Sequence, residues 1–212
     1  MKEPAVQSVL GEYHQRMQSE AAIRKSVSRQ EWLRRRDEFL LDVGESVGML
    51  MNLLIRESQA KTILEVGTSY GYSTLWITEA ARAVGGKVIT LDLSAEKQRY
   101  AQSMLRKAGF DRYADFRCGD AIVLINELAE AVDFVLIDLW KDVYIPCFDA
   151  VRGKLSPAAI VLADNMIYPP DSQEFAQAYR AHVRKHAMDT VLLPLGHGVE
   201  ISRLSVPSHK PA

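Results

Sequence analysis

The chain has 212 residues, 48% hydrophobic and 25% charged, a size and balance suited to one domain around a buried core. Its 26 basic and 27 acidic side chains leave a formal charge of -1, without the positive field of a nucleic-acid binder, so a small neutral or organic ligand fits better. Cys118 and Cys147 lack C-x-x-C spacing, and neither a hydrophobic leader nor a membrane-length apolar run occurs. Reduced thiols, a cytoplasmic location and no membrane partner are the expectation.

No repeat or linker-like cluster divides the chain, so one domain over 1–212 is expected. Residues 1–58 read as helices forming a lid or an interface. Glu31 to Leu40 is charged at most positions, whereas Val47, Leu50, Met51, Leu54 and Ile55 make the apolar stripe of a packed helix. The apolar face between Gly44 and Ser58 and the charged N-terminal segment are surfaces that could support a homodimer.

From Thr62 the pattern changes to β-prone runs alternating with amphipathic stretches. TILEVG precedes a helix over Tyr72 to Val84, KVITLDL one over Ala95 to Ala108, and ADFRC one over Ala121 to Ala129. DFVLID, Val143 to Val151, AIVLAD and a helix from Ser172 to His186 continue the series. The fold class expected is α/β: a mostly parallel, Rossmann-like sheet with helices on both faces, its central strands marked by near-continuous apolar runs. TVLLPLGHGVEISRL, turning at Gly196, His197 and Gly198, adds a C-terminal antiparallel hairpin.

Ligands of such sheets bind beyond the carboxyl ends of the strands, where strand order reverses. Glu65 with Gly67, Asp92, Asp120, Asp138, and Asp164 with Asn165 all stand at strand ends. The turn GTSYG places Gly67 and Gly71 between a strand and a helix, a device for bringing bare N–H groups to a ligand, but lacks the G-x-G-x-x-G of a dinucleotide site. Asp92 closes the next strand, where a carboxylate accepts both ribose hydroxyls. An adenosine-containing ligand is implied; the competing reading is that both glycines serve tight packing alone.

In VLIDLWKDVY an apolar strand ends in Asp138, followed by Trp140, Lys141 and Asp142. Asp138 with Asp164 and Asn165 offers hard oxygen donors without His or Cys, a set that suits magnesium. Lys141, beside that cation and partly buried, is the candidate general base. Trp140 offers a flat face to an adenine or an aromatic substrate, and Asp142 reads as the N-cap of the next helix. The alternative for Asp138, Lys141 and Asp164 is an ordinary surface salt-bridge cluster without metal.

ILEVGTSYGYS, VITLDL, LIDLWKDVYIP and VLADNMIYP, in this order and spacing, resemble the catechol O-methyltransferase branch of the magnesium-dependent, S-adenosylmethionine-using methyltransferases, from about Leu41 to the end of the chain. The resemblance implies a seven-stranded sheet, with Asp138, Asp164 and Asn165 as metal ligands and Lys141 as base. By the same resemblance Glu65, Ser73 and Asp92 hold the cofactor's amino acid and ribose ends, Val43 its methionine end, and Asp120, Ala121 and Trp140 its adenine. Phe39, Trp140, Met166, Tyr168 and Pro169, beside Lys141 and Asn165, are candidate walls for a small aromatic substrate of catechol type.

Two features depart from that family. The acid before its late strand that receives the substrate's second hydroxyl has no clear counterpart, Asp189 lying close but unplaced, and Phe39 stands where a gatekeeping tryptophan is expected. His182 and His186, at i and i+4, have zinc-like spacing but read as a solvated helix face. His197 reads as a hairpin tip, and Arg34, Arg35 and Arg36 as a charged helix side. A nicotinamide-dependent oxidoreductase and a non-catalytic adenosyl-ligand-binding protein are the alternative functions.

Overall fold

The computed structural model describes residues 1–186 and 188–205, except the side chain of Ser172; the last stretch of the family resemblance lies outside them. Seven strands, β1 (Thr62–Val66), β2 (Lys87–Asp92), β3 (Ala114–Cys118), β4 (Val132–Ile137), β5 (Leu155–Ala163), β6 (Met188–Leu193) and β7 (Val199–Leu204), form one sheet. Their order is β3-β2-β1-β4-β5-β7-β6. The first five run parallel, β7 pairs antiparallel with both β5 and β6, and the expected hairpin is this β6–β7 pair.

Helices α3 (Glu45–Glu57), α4 (Tyr72–Val84) and α5 (Ala95–Ala108) cover one face, with α1 (Pro4–Ser26) packed outside them; α6 (Ala121–Asn126), α7 (Tyr144–Arg152) and α8 (Gln173–Lys185) cover the other. Central strands touch both layers: Ile63 and Leu64 of β1, or Phe134 and Val135 of β4, alternate between the two cores at 0% exposure. That double burial is why these strands read as unbroken apolar runs. Helix α4 is apolar nearly all round because α3 lies over it, with Gly48 against the Trp76 ring, where a β-carbon would stand 2.7 Å from three ring atoms. The α3 stripe is thus spent inside the chain, leaving Met49 and Leu53 exposed.

Several boundaries differ from the sequence expectation. Helix α2 (Arg29–Arg35) ends before Leu40: a 3-10 turn at Arg36–Glu38 follows, and the chain then turns inward to bury Phe39 and Leu40 at 6% and 2% exposure. Helix α6 stops at Asn126 as Leu128 drops into the core, and Pro170–Ser172 forms a 3-10 turn, so α8 starts at Gln173. Asp142 is not an N-cap. It lies inside a 3-10 turn, Lys141–Val143, and Val143 precedes α7 without a side-chain cap. No helix of the described residues is long and apolar enough to cross a membrane.

Residues 1–41 form an arm that starts at the far end of α4, where Met1 pairs with Glu79 and Glu3 with Arg82, and runs along the helix layer to the carboxyl edge of the sheet. Tyr13 anchors it, buried with its hydroxyl donating to the Tyr70 carbonyl at 2.7 Å. Further along, Arg24 reaches the Tyr168 hydroxyl, Arg29 pairs with Asp171, Asp37 with Lys97, and the Arg36 guanidinium lies 4.1 Å over the Trp140 ring.

Candidate active site

Main-chain hydrogen bonds lace the strand tips together. Gly67 and Thr68 donate to the Leu91 carbonyl at 2.9 and 3.1 Å, Asp138 to Val66 at 2.9 Å, and Asp164 to Ile137 at 3.2 Å. The ends of β2, β1, β4 and β5 therefore stand side by side, on either side of the β1–β4 junction where strand order reverses.

Gly67 has φ +108°, and a β-carbon there would overlap the Asp138 carbonyl oxygen; one on Gly71, at φ +87°, would press on Ala101. Both glycines thus have packing reasons as well as the conformational one. Asp92 accepts the Ser69 amide at 2.7 Å and the Ser94 amide at 2.8 Å, fixing the glycine turn against β2 while keeping free lone pairs for a ligand hydroxyl.

Glu65 is fully buried and accepts the hydroxyls of Ser73 at 2.6 Å, Thr74 at 2.7 Å and Thr90 at 2.6 Å. Burial pushes its carboxyl up to about 7 against the pull of those three donors. A raised carboxyl favours the native state when protonated, so this contribution is complete below the ordinary value of 4.5 and fades as pH rises through about 7. In the ligand-free protein, Glu65→Gln is expected to remove up to about 3 kcal/mol of stability loss between pH 4.5 and 7.5, from the size of the shift. Urea titrations of both proteins across that window check it; parallel pH profiles would contradict it.

Beyond β4 and β5 the charges crowd. Burial raises Asp138 to about 6, with Lys141 opposing and Asp42 adding to the shift. Asp164, 1% exposed, is raised well above the carboxylate range by burial and then by Asp138. Its Oδ1 is buried and accepts no hydrogen bond from the described residues. The Lys141 ammonium donates to the Tyr144 hydroxyl, to the Asp164 carbonyl at 3.0 Å and to Asn165 Oδ1 at 3.4 Å. Burial lowers it to about 8, although Asp138 and Asp164 pull the other way. Asn165 holds φ +53°, a left-handed conformation that asparagine tolerates better than most residues. One ammonium beside two carboxylates, with a buried oxygen left unpaired, leaves room in charge and in hydrogen bonding for a hard divalent cation.

A family model described as O-methyltransferase matches residues 21–208. The chain belongs to the O-methyltransferase family. It is 33% identical over 131 residues to the catechol O-methyltransferase of Niastella koreensis, an alignment covering 60% of this chain and 59% of that enzyme. Against the caffeoyl-CoA O-methyltransferase of Medicago sativa it is 25% identical over 186 residues, covering 77% and 75%. The O-methyltransferase from Bacillus cereus, solved in complex with SAH, shares the fold with a TM-score of 0.74 at 22% identity, covering 97% of this chain and 92% of that one. The family resemblance and the α/β architecture drawn from the sequence are both borne out.

Other candidate residues of this O-methyltransferase family member take more varied positions. Phe39 and Val43 are buried at the foot of the arm. Trp140 is exposed, but Arg36 covers one face, leaving a single face for an aromatic partner. Asp120 N-caps α6 through the Val123 amide at 3.0 Å, with Ala121 the first residue of that helix. Met166 is buried, while Tyr168 and Pro169 form the loop after β5. Asp189 is excluded as a partner for substrate: it sits at the amino end of β6, on the sheet edge away from these strand tips, and accepts the Ser205 hydroxyl at 2.8 Å.

Two site residues escaped the sequence reading. Asp42, raised by its own burial, accepts the Gly44 amide at 2.9 Å and acts electrostatically on Asp138 and Asp164. D-V-G after an apolar pair was its signal, an aspartate bonding to the amide two residues on. His197 does occupy the hairpin tip, but its ring stacks on Tyr168 at 5.2 Å and its Nδ1 lies 3.4 Å from the Asn165 side-chain nitrogen. A tip residue from the far end of the chain thereby reaches the rim of the site.

Proposed function

We propose that the chain transfers a methyl group from S-adenosylmethionine to one hydroxyl of a small vicinal dihydroxy-aromatic molecule, with magnesium held by Asp138, Asp164 and Asn165. The observation that carries the metal is the buried Asp164 Oδ1, unpartnered among the described residues and beside a second carboxylate, which a salt-bridge cluster would not leave orphaned. The relatives' names, catechol and caffeoyl-CoA, both denote molecules with such a ring, which supports the substrate class. Neither the nicotinamide nor the non-catalytic alternative gains support from the family match.

When bound, the cation would favour the phenolate of a chelating substrate, and S-adenosylmethionine would supply an electrophilic methyl. The protein's part is positional and electrostatic. Lys141, its amine lowered to about 8, takes the phenolic proton near the Asp164 carbonyl and Asn165. Phe39 and Met166 keep the rim apolar, which favours a reaction in which opposite charges cancel. Fixing both reactants on laced strand tips supplies orientation worth up to about 7–11 kcal/mol by intramolecular analogy.

The test is methyl transfer from labelled S-adenosylmethionine to a dihydroxybenzoate, before and after exhaustive treatment with EDTA. Turnover is expected to fall at least about 100-fold and to return with magnesium, as for a cation that stabilises developing charge. Equal rates after complete metal removal would rule out chelation while leaving methyl transfer itself standing.

A further inference from the structure

On the outer surface of α7 and α8, away from the strand tips, Asp149, His182 and His186 bring one carboxylate oxygen and two ring nitrogens within 4.8 Å of one another. From sequence the two histidines were a solvated helix face; α7 adds the third ligand that spacing along one helix does not reveal. His182 Nε2 lies 2.8 Å from Asp149 Oδ1. The two imidazoles, one turn apart, have centroids 4.4 Å from each other.

His186 Nδ1 lies 2.9 Å from the His182 carbonyl, which only accepts, so Nδ1 carries the proton and Nε2 keeps a free lone pair. That is how metal-bound imidazoles are commonly oriented. Both rings also stand edge-on to buried Phe148, each at 6.0 Å, which limits their rotation. Around a tetrahedral zinc with bonds of 2.0–2.2 Å, ligand atoms stand about 3.4 Å apart, so the rings need shift only slightly while the exposed Asp149 carboxylate swings to close the set. Two imidazoles and a carboxylate select a borderline ion over magnesium or calcium.

We propose that Asp149, His182 and His186 form a zinc-binding site, with water completing the tetrahedron, that pins α7 to α8. It is separate from the strand-tip site, since His182 and His186 lie about 13–20 Å along α8 from Gln173 at the helix rise per residue. Its consequence reaches the loop after β5 indirectly, because the Gln173 amide at the other end of α8 donates to the Met166 and Ile167 carbonyls.

The experiment uses the full chain without a polyhistidine tag, stripped of metal and titrated with zinc sulfate against a chromophoric chelator at neutral pH. It is run in parallel in Asp164→Ala, so that zinc at the strand tips is counted separately. In Asp164→Ala one equivalent is expected to bind with Kd of about 10 µM or tighter, unaffected by millimolar magnesium, and the same site is expected in the parent. Asp149→Asn should weaken it at least about tenfold, and the double variant His182→Gln/His186→Gln at least about 100-fold, since each removes ligands. Unchanged affinity in the double variant, or no site tighter than about 100 µM in the parent, overturns the proposal. Should those variants fail to fold, proton NMR of the parent decides: zinc must shift the ring resonances of His182 and His186, and shifts confined to the other three histidines refute the site.

Discussion

Lys141→Ala is expected to lower kcat by about 10²–10⁴-fold, the usual worth of a positioned base, while affinity for S-adenosylhomocysteine stays within about twofold. The amine touches Tyr144, the Asp164 carbonyl and Asn165, all on the β4–β5 side of the crevice. Its loss therefore leaves the glycine turn and Asp92 intact. Lys141→Arg should fare little better, because a guanidinium keeps its charge yet does not give up a proton near neutrality. Single-turnover kinetics with calorimetric binding of S-adenosylhomocysteine separate the two quantities. An unchanged kcat in Lys141→Ala would end the assignment of this residue as base.

Gly67→Ala is expected to cost about 3 kcal/mol or more in stability, combining left-handed strain with backbone overlap. The new methyl would meet the Asp138 carbonyl oxygen, a main-chain atom fixed by the Asp138–Val66 bond, so no side chain can swing aside. Gly85→Ala supplies the control. Gly85 also has positive φ, at +70°, but no heavy atom lies within 4 Å of its added β-carbon, so only the conformational cost of about 1 kcal/mol applies. Urea unfolding of both variants measures the difference; similar losses would show that the close approach to Asp138 costs nothing.

The parallel sheet was legible because its central strands are buried on both sides: β4 and β5 accordingly read as apolar runs followed by an acid, and β1 as one that carries Glu65 just before its end. Asp138, Asp164, Asn165 and Lys141 could be grouped from sequence because topology alone carries parallel strand ends to one edge. The N-terminal arm was harder. Helix α1 buries only Val6, Val9, Leu10 and Tyr13 of its 23 residues, so it has little periodic signal, and many of its other attachments are contacts such as Arg16 over Tyr70 and Arg24 with Tyr168, far along the chain. Asp42, His197 and the Asp149 partnership share that difficulty: each depends on a loop or helix meeting another element far along the chain. Asp142 failed differently, since a 3-10 turn displaced the helix start that its position suggested.

The lacing of Leu91, Gly67, Val66, Asp138, Ile137 and Asp164 is made entirely by peptide groups. Apart from Gly67, which must lack a β-carbon, and Asp92, which holds the glycine turn, spacing across the crevice is therefore a property of the polypeptide scaffold. Residues at the rim such as Phe39, Trp140 and His197 can then drift in evolution or be exchanged by design to admit new acceptor molecules, and the gauge between the two banks stays the same.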